Sequence, residues 1–252
     1  MEKMRKPFQG TLNIIFFNWH FYVIAVVIVL FLLLSVSYFQ NPFHIIAYII
    51  STLISVSIFL SLSTSAYIYD LSGLYKLPWI TPVNSEMLII NISAGFDETS
   101  TLLKDKFKNA ELIALDFYDP TKHTEISIKR ARKAYPPFPK TKQIETTDLQ
   151  LKDNSADKIF VIFSAHEIRN PNERTAFFEE LKRILKPAGE IYITEHLRDL
   201  SNFLAYNIGF FHFYPKSTWI TTFKNAGFKL RQEIKFTPFI STFILDKNGN
   251  TP

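Results

Sequence analysis

The stretch FEELKRILKPAGEIYIT, residues 178–194, decides the fold of the larger part of this chain. Its first half has the apolar spacing of an amphipathic helix, which we expect to run from Asn172 to Leu185. Lys186 to Gly189 then supplies a Pro and a Gly that end the helix, and Glu190 to Thr194 has the composition of a buried strand. A helix, a tight turn and a strand in this order are typical of an α/β domain.

Short apolar strands alternate with helical segments on both sides of this stretch, which predicts a parallel sheet. After the last helix, which we expect Ser217 to cap and Gly227 to end, two further strands read as a closing antiparallel pair. The pattern predicts an α/β domain with a doubly wound, Rossmann-like, seven-stranded sheet. Its strands are expected at residues 87–91, 111–115, 143–145, 158–163, 190–194, 228–236 and 239–246, with two earlier helices ending near residues 108 and 134.

The N-terminal quarter has a different character, because residues 7–69 contain no Lys, Arg, Asp or Glu. Two apolar runs, about 15–39 and 43–66, are each long enough to cross roughly 30 Å of hydrocarbon as a helix. They predict a transmembrane hairpin. The domain plan is therefore an anchor at 1–69, a linker at 70–85 and a soluble domain at 86–252.

Charges beside the hairpin predict its orientation. Lys3, Arg5 and Lys6 precede the first apolar run, whereas the turn between the runs is uncharged. We therefore expect a multi-pass membrane protein with two spans, its N-terminus and its soluble domain both cytoplasmic. A cleaved signal peptide is less favoured, since the first run is too long and lacks a small-residue cleavage site.

Composition limits the chemistry. The chain has 252 residues, no cysteine and a formal net charge of +5. The lack of cysteine excludes a thiolate nucleophile, a disulfide scaffold and a cysteine zinc site. The modest positive charge is compatible with an anionic membrane surface, and no motif indicates a nucleic-acid partner.

The order of the elements and the helix, Lys-Pro-x-Gly turn and strand at residues 178–190 resemble the class I S-adenosylmethionine-dependent methyltransferases over about residues 86–246. The resemblance implies a methyltransferase with S-adenosyl-L-methionine as cofactor. Of the family's glycine-rich turn, only Gly95 is retained. Asp97 and Glu98 stand where a dinucleotide-binding protein presents bare backbone to the pyrophosphate. Because two carboxylates would repel a pyrophosphate, the turn disfavours NAD. The implied cofactor-binding residues are Asn91, Ser93, Gly95, Asp97, Asp116, Asp148, Leu149 and Ser164.

Several of these residues have a structural alternative. Asp97 and Thr99 are also suited to capping the next helix. Asp116 ends the second strand, and its sequence spacing from the turn after the first strand is right for holding a ribose. A strand-ending Asp is, however, also a common turn residue. Asp148 is equally compatible with an exposed loop.

Catalytic candidates follow the fourth and fifth strands, where the carboxyl edge of such a sheet places ligands. Methyl transfer requires alignment of donor and acceptor and the removal of at most one proton, so no metal is predicted. Loop ion pairs are the alternative role, and a metal site that includes His196 is less favoured because its spacing matches no established motif. The candidates are His166, Glu167, Glu195 and, in a later aromatic stretch, His212.

The aromatic stretch at residues 202–215 and the anchor together predict a lipophilic small-molecule acceptor, such as a quinone, isoprenoid or pigment precursor, or a membrane lipid. An O- or C-methyltransferase is favoured over an N-methyltransferase, because a His-Glu pair is present to accept a proton. Two alternatives are a non-catalytic membrane protein that keeps the fold as a binding or scaffolding module, and a nucleotide-sugar or NAD-dependent enzyme.

Overall fold

The N-terminal part of the protein consists of three helices in the computed structural model, which describes residues 5–38, 41–82 and 85–247. They are α1 (Gln9–Phe17), α2 (Trp19–Ser35) and α3 (Phe43–Ala66). The chain continues from α3 through a π-helical turn, Tyr67–Leu71, and a 3-10 turn, Leu74–Lys76. Two residues used in the predictions lie outside the described residues. They are Lys3, one of the charges that predict the orientation, and Phe39, at the end of the first predicted span.

A break at Asn18 divides the helix that the sequence predicts over about residues 15–39, and α1 and α2 meet there at 71°. The reason is that α1 is held on the soluble domain rather than in line with α2. The two carboxylate oxygens of Asp70 accept hydrogen bonds from the backbone N–H of Gly10, at 2.8 Å, and of Thr11, at 2.9 Å. A Cβ at Gly10 would lie 2.4 Å from the Cβ of Tyr69, so this contact requires glycine.

Helices α2 and α3 pack against each other and expose most of their apolar side chains. Among the described residues, one helix, Phe43–Lys76, is long and apolar enough to cross a membrane, and α1 with α2 passes the same test only as a bent pair. A continuous apolar surface of this size is unfavourable in water.

A seven-stranded sheet forms the centre of the soluble domain, as predicted. Its order is β3-β2-β1-β4-β5-β7-β6, with β1 to β5 parallel and β7 antiparallel to both of its neighbours. The order reverses between β1 and β4, and in doubly wound sheets ligands bind beyond the carboxyl ends of the strands at this point. The strands are β1 (Leu88–Ser93), β2 (Glu111–Asp116), β3 (Lys142–Gln143), β4 (Ala156–Ile162), β5 (Leu185–His196), β6 (Lys229–Thr237) and β7 (Ile240–Asp246).

Helices cover both faces of the sheet. One core is built around Phe177, Phe178 and Trp219 and the other around Phe107 and Phe160. The helices are α4 (Ser100–Lys106), α5 (Ile126–Ala134), α6 (Pro171–Ile184), α7 (Leu200–Tyr206) and α8 (Lys216–Asn225), with a 3-10 turn at Asn207–His212.

Three local predictions need correction. Helix α8 begins at Lys216 after Pro215 in the cap position, so Ser217 lies inside the helix and does not cap it. Strand β5 begins at Leu185, because Leu185 pairs with Ala156 before the Lys-Pro-Ala-Gly segment. Strand β3 has only two residues, Lys142 and Gln143, instead of residues 143–145.

Candidate active site

The turn after β1 is built tightly around Gly95. Its φ is +94°, and a Cβ there would lie 2.7 Å from Cδ2 of Tyr118. The Gly95 N–H donates to Oδ1 of Asp116 at 2.7 Å. The retained glycine is therefore required by both the backbone conformation and the close approach of the loop after β2.

Asp97 fulfils the capping alternative with one of its oxygens. Its Oδ1 accepts from the backbone N–H of Thr99 and of Ser100, both at 2.9 Å, and from Nδ2 of Asn91 at 3.2 Å. Its Oδ2 is buried and has no hydrogen-bond partner, and the same holds for Oδ1 of Asn91. A buried carboxylate oxygen without a donor is unfavourable, so Asp97 has the capacity to accept a bond from a ligand.

The carboxylate of Asp116, predicted to hold a ribose, is occupied by the protein's own groups. Besides Gly95, the Tyr118 N–H donates to Oδ1 at 3.0 Å, and Nη1 of Arg132 lies 2.5 Å from Oδ2. The Arg132 guanidinium also lies over the Tyr118 ring, 4.3 Å from its centroid. A ribose reaches Asp116 only if Arg132 moves away.

Three larger cavities run along the carboxyl edge of the sheet among the described residues, and a fourth, of about 40 Å³, lies beside Asp97 and Asp116 and is also lined by Arg132. The first, about 680 Å³, lies among the segments after β2, β3 and β4; the second, about 140 Å³, lies over the ends of β1 and β4; the third, about 590 Å³, lies between the domain and helices α1 and α3. Glu167 lines both the first and the second. The second and third share Tyr75, Phe96, Glu98 and Phe163.

The other predicted cofactor residues lie in different places. Ser93 lines the second cavity. Ser164 is buried and donates to the carbonyl oxygen of Ile92 at 2.9 Å. Asp148 is exposed and caps its own turn, and Leu149 is buried in the core; neither lines one of the three cavities, whose wall here is formed by Thr146 and Thr147.

All four predicted catalytic residues come together in one cluster. Nδ1 of His166 lies 2.6 Å from Oε2 of Glu195, which is completely buried. Nε2 of His166 and Nε2 of His212 each lie 3.3 Å from Oε1 of Glu167. Glu125, which the sequence analysis did not identify, lies 3.2 Å from Nδ1 of His212.

The charges of this cluster depend on one another. Burial alone would lower the pKa of His166, but the attraction of Glu195 and the hydrogen bonds to Glu167 and Glu195 raise it to about 10. Burial would raise the pKa of Glu167, yet hydrogen bonds from His166 and His212 hold it well below its usual range. His166 is therefore positively charged and Glu167 negatively charged at neutral pH.

His196 differs from the other two histidines. Burial, the largest effect, lowers its pKa to about 4, so it is neutral. Its ring is stacked between Phe163 and Phe213, and its Nε2 lies 2.7 Å from the hydroxyl oxygen of Tyr69. His196 thus fixes a tyrosine that lines the third cavity.

Sequence reasoning also missed the contacts that join the N-terminus to the site. Nη1 of Arg5 lies 3.1 Å from Oε1 of Glu98, whose other oxygen accepts from the Tyr75 hydroxyl at 2.6 Å. Nη1 of Arg130, on α5, donates to the carbonyl oxygen of Phe17 at 2.6 Å. No local sequence pattern predicts contacts between residues so far apart in the chain. These pairs form only because α1 packs on the domain.

Comparison with known proteins supports a methyltransferase domain. Residues 90–193 match the family model of the methyltransferase domain. The curated proteins give no match. Among solved structures, the chain resembles a SAM-dependent methyltransferase from Aquifex aeolicus, with a TM-score of 0.52 and 17% identity over 76% of this chain and 96% of that one.

Two further structures share the fold. Human N-acetylserotonin methyltransferase, solved with SAM, has a TM-score of 0.52 and 14% identity over 76% of this chain and 55% of that one. An O-methyltransferase from Planctomyces limnophilus, solved with apigenin, has a TM-score of 0.51 and 12% identity over 76% of this chain and 62% of that one. The predictions of a methyltransferase and of S-adenosylmethionine as its cofactor are confirmed.

Proposed function

We propose that this methyltransferase acts at a membrane and transfers the methyl group of S-adenosylmethionine to a hydroxyl oxygen or an acidic carbon of a lipophilic acceptor. The observation that carries the proposal is the cavity of about 590 Å³. Residues of the apolar helices α1, α2 and α3 and the two histidines of the His-Glu cluster line this same space. Ser61 on α3 and Phe17 on α1 lie on one side of it, and His166 and His212 on the other.

We expect the cofactor to occupy the two remaining larger cavities, with the small cavity beside Asp116 opened by movement of Arg132 to admit the ribose. The first cavity, at about 680 Å³, is in the range that a nucleoside-sized ligand needs, and it lies beside the ends of β2 and β3. The second is bordered by Glu98 and Glu167, whose carboxylates favour a positive sulfur nearby. S-adenosylmethionine bound there would supply an electrophilic methyl group.

The protein's own groups orient the acceptor. His166 is positively charged and its Nε2–H faces Glu167, so it stabilises an acceptor oxygen by its charge rather than removing a proton from it. Burial would lower the pKa of His212, but Glu125 and Glu167 raise it, so its neutral form is the stronger base for an acceptor hydroxyl. The apolar walls exclude water from the transfer.

The membrane arrangement follows from the same contacts. Arg5 and the domain lie on one side, since Arg5 pairs with Glu98 and stacks 3.4 Å from the Tyr75 ring centroid. Helices α2 and α3 then form the two crossing segments, and α1 lies at the interface. The basic residues Arg5 and Lys6 favour a cytoplasmic location for this side.

Filling the cavity tests the proposal. The protein in detergent is incubated with S-adenosylmethionine that carries a deuterated methyl group and with lipid extract, and labelled products are sought by mass spectrometry. Ser61→Trp places an indole in the cavity and is expected to reduce product at least about 100-fold. Leu60→Trp is the matched control, because Leu60 is 45% exposed on the lipid-facing side and does not line the cavity.

The outcomes separate the alternatives. Cofactor binding, measured by calorimetry, is expected to be the same in both variants. Equal product from Ser61→Trp and Leu60→Trp would refute an acceptor in this cavity, and labelled water-soluble products alone would refute a lipophilic one. A wild-type protein that binds no S-adenosylmethionine at all would support the non-catalytic module instead.

A further inference from the structure

Two histidines present the same ring nitrogen to the same carboxylate oxygen. His166 follows β4, and His212 ends the 3-10 turn after α7, yet Nε2 of each lies 3.3 Å from Oε1 of Glu167. One ligand atom from each of the three residues lies within 4.8 Å of the other two. Metal–ligand distances of about 2.0–2.2 Å separate neighbouring ligands by about 3–3.5 Å, so the spacing suits one metal ion.

The far side of each imidazole provides an independent observation. Nδ1 of His166 lies 2.6 Å from Glu195, and Nδ1 of His212 lies 3.2 Å from Glu125. A carboxylate on the remote nitrogen fixes the ring orientation and makes the facing nitrogen a better ligand, and this pairing is the usual support of metal-binding histidines. His166 has this support, and His212 has it in competition with Arg169, whose Nη2 lies 2.7 Å from the same Nδ1.

Two groups compete with a metal: the proton on Nε2 of His166, which a bound metal would displace, and the guanidinium of Arg169. Nη2 of Arg169 lies 2.7 Å from Nδ1 and 3.0 Å from Nε2 of His212, and its Nη1 donates to the His212 carbonyl oxygen. The side chain is exposed, so it can swing into solvent. A cation therefore already lies beside one of the three ligands.

We propose that His166, Glu167 and His212 form a binding site for a divalent transition metal such as Zn²⁺, Mn²⁺ or Co²⁺. Two imidazoles with one carboxylate favour these ions over Mg²⁺ and Ca²⁺, which prefer oxygen ligands. Both histidines line the third cavity, so the remaining coordination positions face the acceptor space. The role of the ion, to hold an acceptor oxygen in place of the imidazolium of His166, rests on the proposed function; its binding does not.

Cobalt binding tests the site without cofactor or acceptor. The full chain in detergent is stripped with a chelator and titrated with Co²⁺, followed by its visible absorption. We expect one Co²⁺ per chain, displaced by Zn²⁺, and binding weakened at least about 100-fold by Glu167→Gln or His212→Gln. His44→Gln is the matched control, because His44 lies near the start of α3, lines none of these cavities and is expected to leave binding unchanged.

Two further variants separate a metal site from a network of ion pairs. Glu125→Gln, which removes a supporting carboxylate, is expected to weaken Co²⁺ binding about tenfold. Arg169→Ala is expected to strengthen it, because the competing guanidinium is gone. No saturable Co²⁺ absorption in the wild type and Arg169→Ala, or binding unaffected by Glu167→Gln, would overturn the proposal, whatever the result of the methyl-transfer assay.

Discussion

The two halves of the sheet edge hold their carboxylates in opposite ways. At the ends of β1 and β2, Asp97 and Asp116 accept backbone N–H groups from residues close by in their own or the adjoining turn, such as Thr99 and Tyr118. At the ends of β4 and β5, Glu195 bonds to His166, which comes from another segment. The first half is stabilised mainly by N–H groups of its turns, with one ion pair from Arg132 to Asp116, and the second mainly by charges that only the complete fold brings together.

This difference has energetic consequences. A carboxylate on nearby N–H groups retains its partners through small movements, whereas a buried ion pair leaves an uncompensated charge when one partner is lost. We call the ends of β4 and β5 the acceptor half and the ends of β1 and β2 the cofactor half. We therefore expect the acceptor half to be the more sensitive to substitution and to pH. The cofactor half should respond mainly in its affinity for ligand.

Glu195→Gln should have the largest effect. The amide keeps the shape of Glu195 but leaves the His166 imidazolium without its fully buried counter-charge. We expect the free energy of unfolding in detergent to fall by about 3 kcal/mol, and the pKa of His166 to fall with it. Denaturant titration followed by tryptophan fluorescence measures the first effect.

Glu179→Gln serves as the control, because Glu179 is an exposed residue of α6. It should leave the free energy of unfolding unchanged within about 0.5 kcal/mol. Equal stabilities of the two variants would show that the His166–Glu195 pair is no more important than a surface charge, and the contrast between the two halves would fail.

His196 should make the acceptor half sensitive to acid. Its pKa of about 4 in the folded chain lies below the ordinary value of 6.5, so between these values the unfolded chain binds a proton that the folded chain does not. Stability should therefore fall as the pH decreases from about 6.5 to 4, by up to about 3 kcal/mol. Above pH 6.5 this contribution is constant.

His196→Gln isolates this effect, since glutamine does not titrate. The free energy of unfolding at pH 7 and at pH 4.5 should differ less in the variant than in the wild type, by about 2–3 kcal/mol. Identical pH dependence in both proteins would mean that His196 is protonated in the folded state, which its burial and the hydrogen bond that its Nε2 accepts from Tyr69 oppose.

The same contrast explains what the sequence revealed. The strands, the α6 helix and the turn at Gly95 follow from local periodicity and turn chemistry, so they were predicted with small errors at their ends. The capping alternative for Asp97 was also available, because it involves only the next three residues.

The acceptor half was predictable only in part. His166, Glu167 and Glu195 were identified because the carboxyl ends of parallel strands meet at one edge. Glu125 and the Arg5–Glu98 pair were not, because they depend on how α1 and α5 dock on the domain. Arg132 lies on α5 among other basic residues, and nothing in their spacing indicates that its side chain reaches Asp116.

Substitution of Arg132 gives the smallest predicted effect. Its direction is informative, because the affinity for S-adenosylmethionine should rise rather than fall. If the ribose of the cofactor binds Asp116, Arg132 competes with it, so Arg132→Ala should tighten S-adenosylmethionine binding about tenfold, or about 1.4 kcal/mol. Asp116→Ala should weaken binding by at least as much, because it removes the acceptor of the ribose hydroxyls. Calorimetry of the full chain in detergent measures both.

The cofactor is itself a cation, so any loss of positive charge nearby would strengthen its binding somewhat. Lys133→Ala controls for this, because Lys133 is the exposed neighbour of Arg132 on α5 and carries the same charge. Only Arg132→Ala should give the tenfold gain. A gain of equal size in both variants would reduce the effect to general electrostatics, and a loss in Arg132→Ala would show that the guanidinium stabilises the site, with Asp116 serving the fold rather than the ligand.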